Sequence, residues 1–379
     1  MWRIGLDCRL SGLDHAGLGR YIHNLSIRLP TAAHQVNWIY FVVDDHQALP
    51  YRHLPNVTIK LIPIQHYTWT EQWQLPQIFQ SANLDLLHIP HFNAPWRYQQ
   101  KMVVTIHDLL WHQQRGGQVT TLPWWSYWPK YLGYRWLVSR VISQAERVIV
   151  PTQTVKDTVS FYYPSAASKT VVTYEGVDSA LLHSNQRHSS SFIGKLSKLK
   201  TLIGQYWLYV GSLYPHKNLS LVLSALRQEK NQSLVVVCAR DNFTERFLKQ
   251  VSQLGMSDRV IWLGSLTDSE LAQVYQQARV LIQPSLSEGF GLTGLEALAI
   301  GTPVIASHIA VFKEVYQQAA LYFNPLSVTS FQQAVIRLSR LNRPHWQKIT
   351  QRVLQRYDWG RTTRQTWDVY QQVLSPTIS

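Results

Sequence analysis

The sequence predicts an α/β fold made of two Rossmann-like domains facing across a cleft. Three observations carry this reading. The 379 residues exceed the roughly 100–200 that one domain usually holds. Short, apolar, β-branched runs alternate with helix-compatible stretches along the chain, the pattern of parallel sheets covered by helices. The pattern breaks once, at a polar tract, and then restarts. Each half opens with a strand that runs into a Gly-containing loop.

The strand-like runs of the first half are Arg3–Leu6, Trp38–Val43, Val57–Ile62, Leu86–Ile89, Met102–Ile106, Arg147–Val150 and Thr170–Tyr174. The break is the Ser- and Lys-rich stretch from HSNQRHSSS at His183 to GKLSKLK at Lys200, which reads as a linker. Strands resume at Trp207–Val210, Leu234–Cys238, Val260–Leu263, Val280–Gln283 and Pro303–Ala306. Helical segments are expected at Asn218–Leu226, Thr244–Leu254, Ser269–Ala278 and Leu292–Ile300. The predicted boundaries are a first domain over 1–182, a linker over 183–205, a second domain over 206–356 and a terminal segment over 357–379. That last segment carries an amphipathic helix, Tyr357–Leu374, with room to pack back on the first domain.

Hydrophobic residues make up 45% of the chain and charged residues 15%, which excludes a disordered protein. Cys8 and Cys238 each sit inside an apolar run, as buried thiols of a reducing compartment do, and form no disulfide framework or metal motif. No N-terminal signal peptide is visible, and no apolar run reaches the ~18–20 residues that span a bilayer. A cytoplasmic chain, soluble or peripheral to a membrane, is expected. The net charge of +14 attracts anions such as nucleic acid, anionic lipid or a phosphorylated substrate. Eight of the 15 Trp fall between Trp69 and Trp136. Such a basic, aromatic stretch suits a membrane interface or base stacking, and an ordinary core role for each Trp is as good a reading.

The most informative stretch is Gln283–Ser307, QPSLSEGFGLTGLEALAIGTPVIAS. A strand ends near Pro284, a loop with two glycines covers Ser287–Gly291, and a helix starts near Leu292. The glycines allow close backbone approach to a ligand. The helix N-terminus offers free N–H groups and a partial positive charge, so the arrangement suits phosphate. Glu288 and Glu296 flank it with seven residues between them. On one continuous helix they would lie about 12 Å apart. With one in the loop and one on the helix, both can face an elongated ligand, a sugar at one end and a ribose at the other. Glu296 alone would read as an ordinary helix glutamate.

This stretch resembles the E-x7-E signature of the family 4 glycosyltransferases, retaining enzymes of the GT-B fold. RVIWLGSLTDSELAQVYQQARVLIQPS, WLYVGSLYPHKNLSLVLSAL, VVTYEGVD, AERVIVPTQTVKDTV, VVTIHDLLW and GLGRYIHNL resemble further elements of that family. The similarity is strongest over 207–307. The resemblance implies that Glu288 contacts the donor sugar hydroxyls and Glu296 the ribose. Backbone N–H groups of Gly289, Phe290, Gly291, Leu292 and Thr293 would meet the sugar and diphosphate. Lys217, in the PHKN loop after Gly211, would neutralise the leaving diphosphate, a task that falls to fixed cations and dipoles in a metal-free site. The family usually has an Arg in this loop, where this chain has Ser212 and His216. A protonated His216, with an ordinary pKa of about 6.5, or Arg240 in the CARDNF segment, would have to supply the missing charge.

In the first half, the resemblance makes His107 a contact to the donor sugar near the reacting carbon. It makes the loop Ser11–Gly19, with Gly12, Gly17 and Gly19, the flexible loop beside the diphosphate and acceptor. His88 and His91 have no evident third partner, so no metal and no other cofactor is assigned. The implied reaction moves a hexose, with mannose from GDP-mannose the leading choice, to a hydroxyl of a saccharide or lipid-linked acceptor in surface polysaccharide or glycolipid synthesis. Front-face attack would retain the α-anomer. UDP-glucose and UDP-N-acetylhexosamine remain open as donors. The stretch Trp111–Arg147 would dock on an anionic membrane. The alternatives are a nucleotide-sugar epimerase of similar shape, a donor-binding protein without catalysis, and a non-enzymatic basic protein that binds nucleic acid or membrane. Against nucleic acid stands the absence of any recognised motif beside the charge.

Overall fold

In the computed structural model the described residues are 1–12, 16–114, 124–177, 202–239 and 243–375, together with Gly116, Thr120 and Leu199. Most of the predicted linker, 183–198 among it, and Arg240 lie outside them. Two compact units emerge. Unit 1 comprises Met1–Gln113, Trp124–Gly176 and Tyr357–Ser379; unit 2 comprises Gln114–Pro123 and Val177–Arg356.

Unit 1 holds β1 (Arg3–Asp7), β2 (Asn37–Val42), β3 (Val57–Leu61), β4 (Leu86–Ile89), β5 (Met102–Thr105), β6 (Arg147–Val150) and β7 (Thr170–Val172). They form one parallel sheet in the order β3-β2-β1-β4-β5-β6-β7. β4 and β5 are buried along their whole length and so are mostly apolar where a half-exposed strand would alternate; their polar residues, His88 and Thr105, bond to each other. Its longer helices before the last are α1 (Ala16–Ala32), α2 (Trp69–Ser81), α3 (Trp124–Gln144) and α4 (Gln153–Tyr162). Phe79 of α2, Val138 and Val141 of α3 and Val155 of α4 pack with Phe41, Leu87, Val104 and Val148 on one face of the sheet.

The other face is closed by α1 and by the last helix of the chain, labelled α12 below. The predicted glycine loop is shorter than expected. Helix α1 begins at Ala16, so Gly17 and Gly19 stand in its first turn rather than in a loop. The reason is the run Tyr21, Ile22, Leu25 and Leu29, which repeats at helical spacing and is buried; that burial carries the helix back over the glycines.

Unit 2 holds β8 (Trp207–Val210), β9 (Leu234–Val237), β10 (Val260–Gly264), β11 (Val280–Gln283), β12 (Val304–Ser307) and β13 (Ala320–Phe323), parallel in the order β10-β9-β8-β11-β12-β13. Its helices are α5 (Leu219–Gln228), α6 (Thr244–Gln253), α7 (Asp268–Gln277), α8 (Leu292–Ile300), α9 (Ala310–Tyr316), α10 (Val328–Ser339) and α11 (Arg343–Leu354). Helix α7 starts one residue before its predicted position because Thr267 and Glu270 form a reciprocal capping box. The pattern did not reveal β13. Its four residues ALYF are half-exposed in the middle and offer too little periodicity to register.

Helix α12 (Trp359–Leu374) opens with Asp358 accepting from the Arg361 N–H at 2.9 Å. It is fastened to unit 1 by polar bonds as well as by rings. Thr362 Oγ1 donates to the Tyr174 carbonyl at 2.6 Å, and Lys101 Nζ donates to the Val373 carbonyl at 3.0 Å. Gly176 passes so close that a Cβ there would meet the Trp359 nitrogen at 2.3 Å. Tyr370 bonds the buried His88 Nδ1, whose other nitrogen pairs with Thr105 Oγ1 at 2.8 Å. Burial first, then His107, pushes the His88 pKa down to about 3, so this ring is neutral and held between two hydroxyls. Tyr370→Phe should orphan one ring nitrogen and lower the unfolding free energy by about 1–3 kcal/mol. Urea denaturation measures this, and an unchanged midpoint would mean that the bond does not help hold α12.

Candidate active site

In a parallel sheet all strand C-termini share one edge. Where the strand order reverses, the loops from two neighbouring strands turn away from each other and leave a crevice. In unit 2 that reversal lies between β8 and β11. The loop after β8 begins at Gly211, whose φ of 148° suits a residue without a Cβ. Tyr209 Oη donates to the Ser212 carbonyl at 2.5 Å and curls the loop back. Pro215–Lys217 then make one 3-10 turn, ended by Asn218 in the left-handed region with φ 59°. The Asn218 side-chain amide donates to the carbonyls of Pro284 at 3.1 Å and Pro325 at 2.9 Å. Leu286 N–H donates to the His216 carbonyl at 2.8 Å. These bonds tie the loop after β8 to the loop after β11.

The tie brings Lys217 to Glu288, with Nζ and Oε1 2.6 Å apart and both side chains only 17% exposed. Ser285 Oγ donates to the same carboxylate oxygen at 2.9 Å. Burial alone would raise the Glu288 pKa. Although burial is the largest single influence, the charge and hydrogen bond of Lys217, with smaller contributions from His216 and the Ser285 bond, together hold the carboxyl below its ordinary value. Glu288 is therefore an anion at neutral pH, neutralised by the lysine assigned to the phosphates.

His216 corrects an expectation. Burial, and then the neighbouring Lys217 charge, push its pKa from 6.5 to about 3, with Glu288 opposing. It is neutral at pH 7 and cannot stand in as a cation for the Arg usual in this loop. Its Nδ1 is buried without a hydrogen-bond partner among the described residues.

Helix α8 starts from Gly291 at φ 97°, and no side chain caps it. Gly289 and Phe290, both buried, lead into this start, followed by the buried Leu292. Thr293 Oγ1 accepts from Gln283 Nε2 at 2.5 Å, which fixes the first turn to the end of β11. Tyr316 Oη donates to the Gly291 carbonyl at 2.7 Å. A Cβ on Gly291 or Gly294 would meet that hydroxyl at 2.3 or 2.2 Å, so both glycines are needed to seat Tyr316 under the loop. Sequence reasoning missed Gly294, Asn218 and Tyr316. A Gly inside a helix costs about 1 kcal/mol against Ala, and that cost was the available signal for Gly294. Glu296, one turn into α8, is buried and accepts from Tyr275 Oη at 3.1 Å. One lysine, the carboxylates Glu288 and Glu296 and an uncapped helix start thus lie together at this end of the sheet, a setting suited to an anionic, hydroxylated ligand.

In unit 1, His107 follows β5. Its Nε2 lies 3.2 Å from the Pro90 carbonyl, its Nδ1 3.3 Å from Glu175 Oε1, and Tyr21 stacks edge-on at 4.7 Å. A buried charge cluster at the end of β1 escaped the sequence analysis. Arg9 binds Asp7 through two bonds, at 2.9 and 2.8 Å, and Glu71 at 2.9 Å. Glu71 also accepts from Asn93 at 2.6 Å. The cluster joins the exit of β1 to the first turn of α2. His91 faces Tyr67 Oη and the Asn93 N–H, and burial pushes its pKa down to about 3. Among the described residues no group of three or more His, Cys, Asp or Glu could hold a metal ion.

The neutral state of His216 has a pH consequence. The unfolded chain takes up a proton below pH 6.5 that the folded chain refuses until about pH 3, so His216 subtracts stability as pH falls through that window. His216→Gln should flatten the acid limb of the stability curve there by up to about 1.4 kcal/mol per pH unit. Denaturant titrations at stepped pH check this, and identical slopes would show that His216 protonates in the folded chain.

Comparison with known proteins follows the same division of the chain. Residues 15–181 match the family described as Glycosyltransferase Family 4, and residues 199–354 the family described as Glycosyl transferases group 1. The O-antigen chain mannosyltransferase RfbU of Salmonella typhimurium is 28% identical over 351 residues, 88% of this chain and 90% of that protein. The O-antigen chain mannosyltransferase B of Escherichia coli is 25% identical over 297 residues, 75% of this chain and 74% of that protein. Among solved structures, sucrose-phosphate synthase of Thermosynechococcus elongatus superposes with a TM-score of 0.75 at 19% identity, covering 98% of this chain and 99% of that one.

Proposed function

This chain belongs to the group 1 glycosyltransferases, and we propose that it moves mannose from GDP-mannose to a hydroxyl of a saccharide or lipid-linked acceptor, with retention of the α-anomer. It is a hexosyltransferase of the GT-B fold. The observation that carries the proposal is the Lys217–Glu288 pair at the start of α8. In that pair each group already holds an opposite charge. The donor replaces both contacts at once: its diphosphate takes Lys217, and its sugar hydroxyls take Glu288. Neither buried charge is left bare, so binding avoids the cost of an uncompensated ion.

In the proposed reaction the acceptor oxygen attacks the anomeric carbon on the face that the diphosphate leaves. The bond from that carbon to the diphosphate oxygen breaks, and the acceptor proton passes to the departing phosphate. Lys217, the amides of Gly289–Thr293 and the N-terminal dipole of α8 meet the developing negative charge. Glu296 takes the ribose, and Gly211 and Ser212 let the backbone approach the phosphates. The resemblance assigns His107 to the donor sugar, and it assigns Gly17 and Gly19, at the start of α1, to the diphosphate and acceptor side. His216 acts as a neutral neighbour of Lys217.

The mannosyl choice draws support from the two relatives, both O-antigen chain mannosyltransferases by name, and the same names support a role in surface polysaccharide synthesis. A lipid-linked acceptor would place the chain at the inner face of a membrane as a peripheral protein. No helix among the described residues is long and apolar enough to cross one.

GDP-mannose at a hundred times its dissociation constant should stabilise the folded chain by about 2.7 kcal/mol, and Glu296→Ala should abolish that gain. Thermal denaturation reads it, and a shift with UDP-glucose alone would reassign the donor. Glu288→Gln should lower kcat by about 10²–10³-fold while the protein still folds. A rate equal to that of the parent chain would remove Glu288 from the mechanism.

A further inference from the structure

Unit 1 carries an exposed aromatic surface that the donor chemistry does not use. Helix α3 presents Trp125, Trp128, Leu132 and Trp136 to solvent at 66%, 45%, 63% and 53% exposure. At 100° and 1.5 Å per residue, these four fall within an arc of about 80° and span about 16 Å. The opposite side of the same helix buries Tyr127, Tyr131, Val138 and Val141. The core therefore already has its face of α3, and the Trp stripe is a second apolar face. Helix α2 adds Trp69 and Trp73, both exposed. The chain after β4 bridges the two helices. The Arg97 guanidinium lies 4.1 Å over the Trp73 ring and 5.5 Å from the Trp96 ring, and Trp96 packs edge-on against Trp136 at 5.3 Å.

Within the segments that form this surface the exposed ionised groups are cations, and at one border Lys101 and Arg140 share a hollow with Asp85 and Glu146. Across 69–81, 90–101 and 124–144 the exposed ionised side chains on this side are Arg97, Lys101 and Arg140, while Lys130 is exposed on the far side of α3 from the Trp stripe. The single carboxylate of these segments, Glu71, is fully buried and paired with Arg9. An anionic lipid surface meets both properties, since indole rings settle at headgroup level and cations are drawn to the phosphates.

We propose that the surface formed by α2, the segment after β4 and the outer face of α3 docks the chain on an anionic lipid surface. The proposal rests on the lipid-linked acceptor of the proposed function and not on the identity of the donor. It also redraws the sequence expectation. Trp111 and Tyr127, within the predicted span Trp111–Arg147, are taken up in ring packing, at 6.0 Å from one another. Trp73, Trp96 and Arg97, outside that span, join the surface.

The test is flotation of the full chain with vesicles of phosphatidylcholine, or of phosphatidylcholine and phosphatidylglycerol in equal parts, at low and high salt. The chain should float with the anionic vesicles and bind neutral ones at least about tenfold more weakly, with high salt narrowing the gap. The variants R97E/R140E and W125S/W128S/W136S should each cut binding to anionic vesicles at least about tenfold. Both should keep the parent's nucleotide-induced thermal shift, which shows that they fold. Equal binding to both vesicles, no flotation, or flotation unchanged in both variants would overturn the proposal. So would Trp quenching by a soluble mannooligosaccharide, lost in the Trp variant, without vesicle binding, which would make this a glycan surface. Flotation without any donor-induced thermal shift would instead fail the donor reading and leave this one standing.

Discussion

The reversal of strand order between β8 and β11 is the constraint from which the candidate site follows. A parallel sheet sends every loop at its C-terminal edge toward the same side, and a reversal is where two such loops diverge. Here the diverging loops are not left apart. Asn218, held in the left-handed region, spends its side-chain amide on two carbonyls of other segments. That staple turns two separate loops into one rigid rim carrying Lys217 and Glu288. The glycines at the start of α8 complete the rim from the other side, since only their lack of a Cβ admits the Tyr316 hydroxyl beneath it.

Electrostatics then give the rim its character. Lys217 and Glu288 neutralise each other in a setting where either alone would be costly. His216, buried and neutral, adds no charge. The loop thus holds its cation paired with a carboxylate. This differs from a loop with a permanent Arg in the same place, where positive charge would persist whatever the state of the carboxylate.

The two sheets, most strand positions and the glycine loop before α8 were legible because burial on both faces writes mostly apolar runs, and because loop glycines and helix starts have local signatures. The shortened loop before α1 was not, because its boundary depends on how far a buried helical face extends back toward the glycines. The charge state of His216 was not, because its pKa follows from burial and from a neighbour's charge, neither of which the sequence shows. The tryptophans make the same point. Trp38 and Trp207 are core residues, while Trp125 and Trp136 face water. The residue type is identical, and only the position of each on a packed helix or strand separates them.

The sequence by itself determined the α/β class and the positions of nearly all strands, because these depend on periodicity and on short-range backbone chemistry, while the Glu288–Glu296 signature stood out by its resemblance to a known family. Only the tertiary structure decided that Lys217 is paired with Glu288, that Gly294 exists to seat Tyr316, and that α2, α3 and the segment after β4 share one basic, aromatic surface. Each of these joins residues distant in the chain. Such contacts are set by how sheets and helices pack, and local propensity carries no record of them.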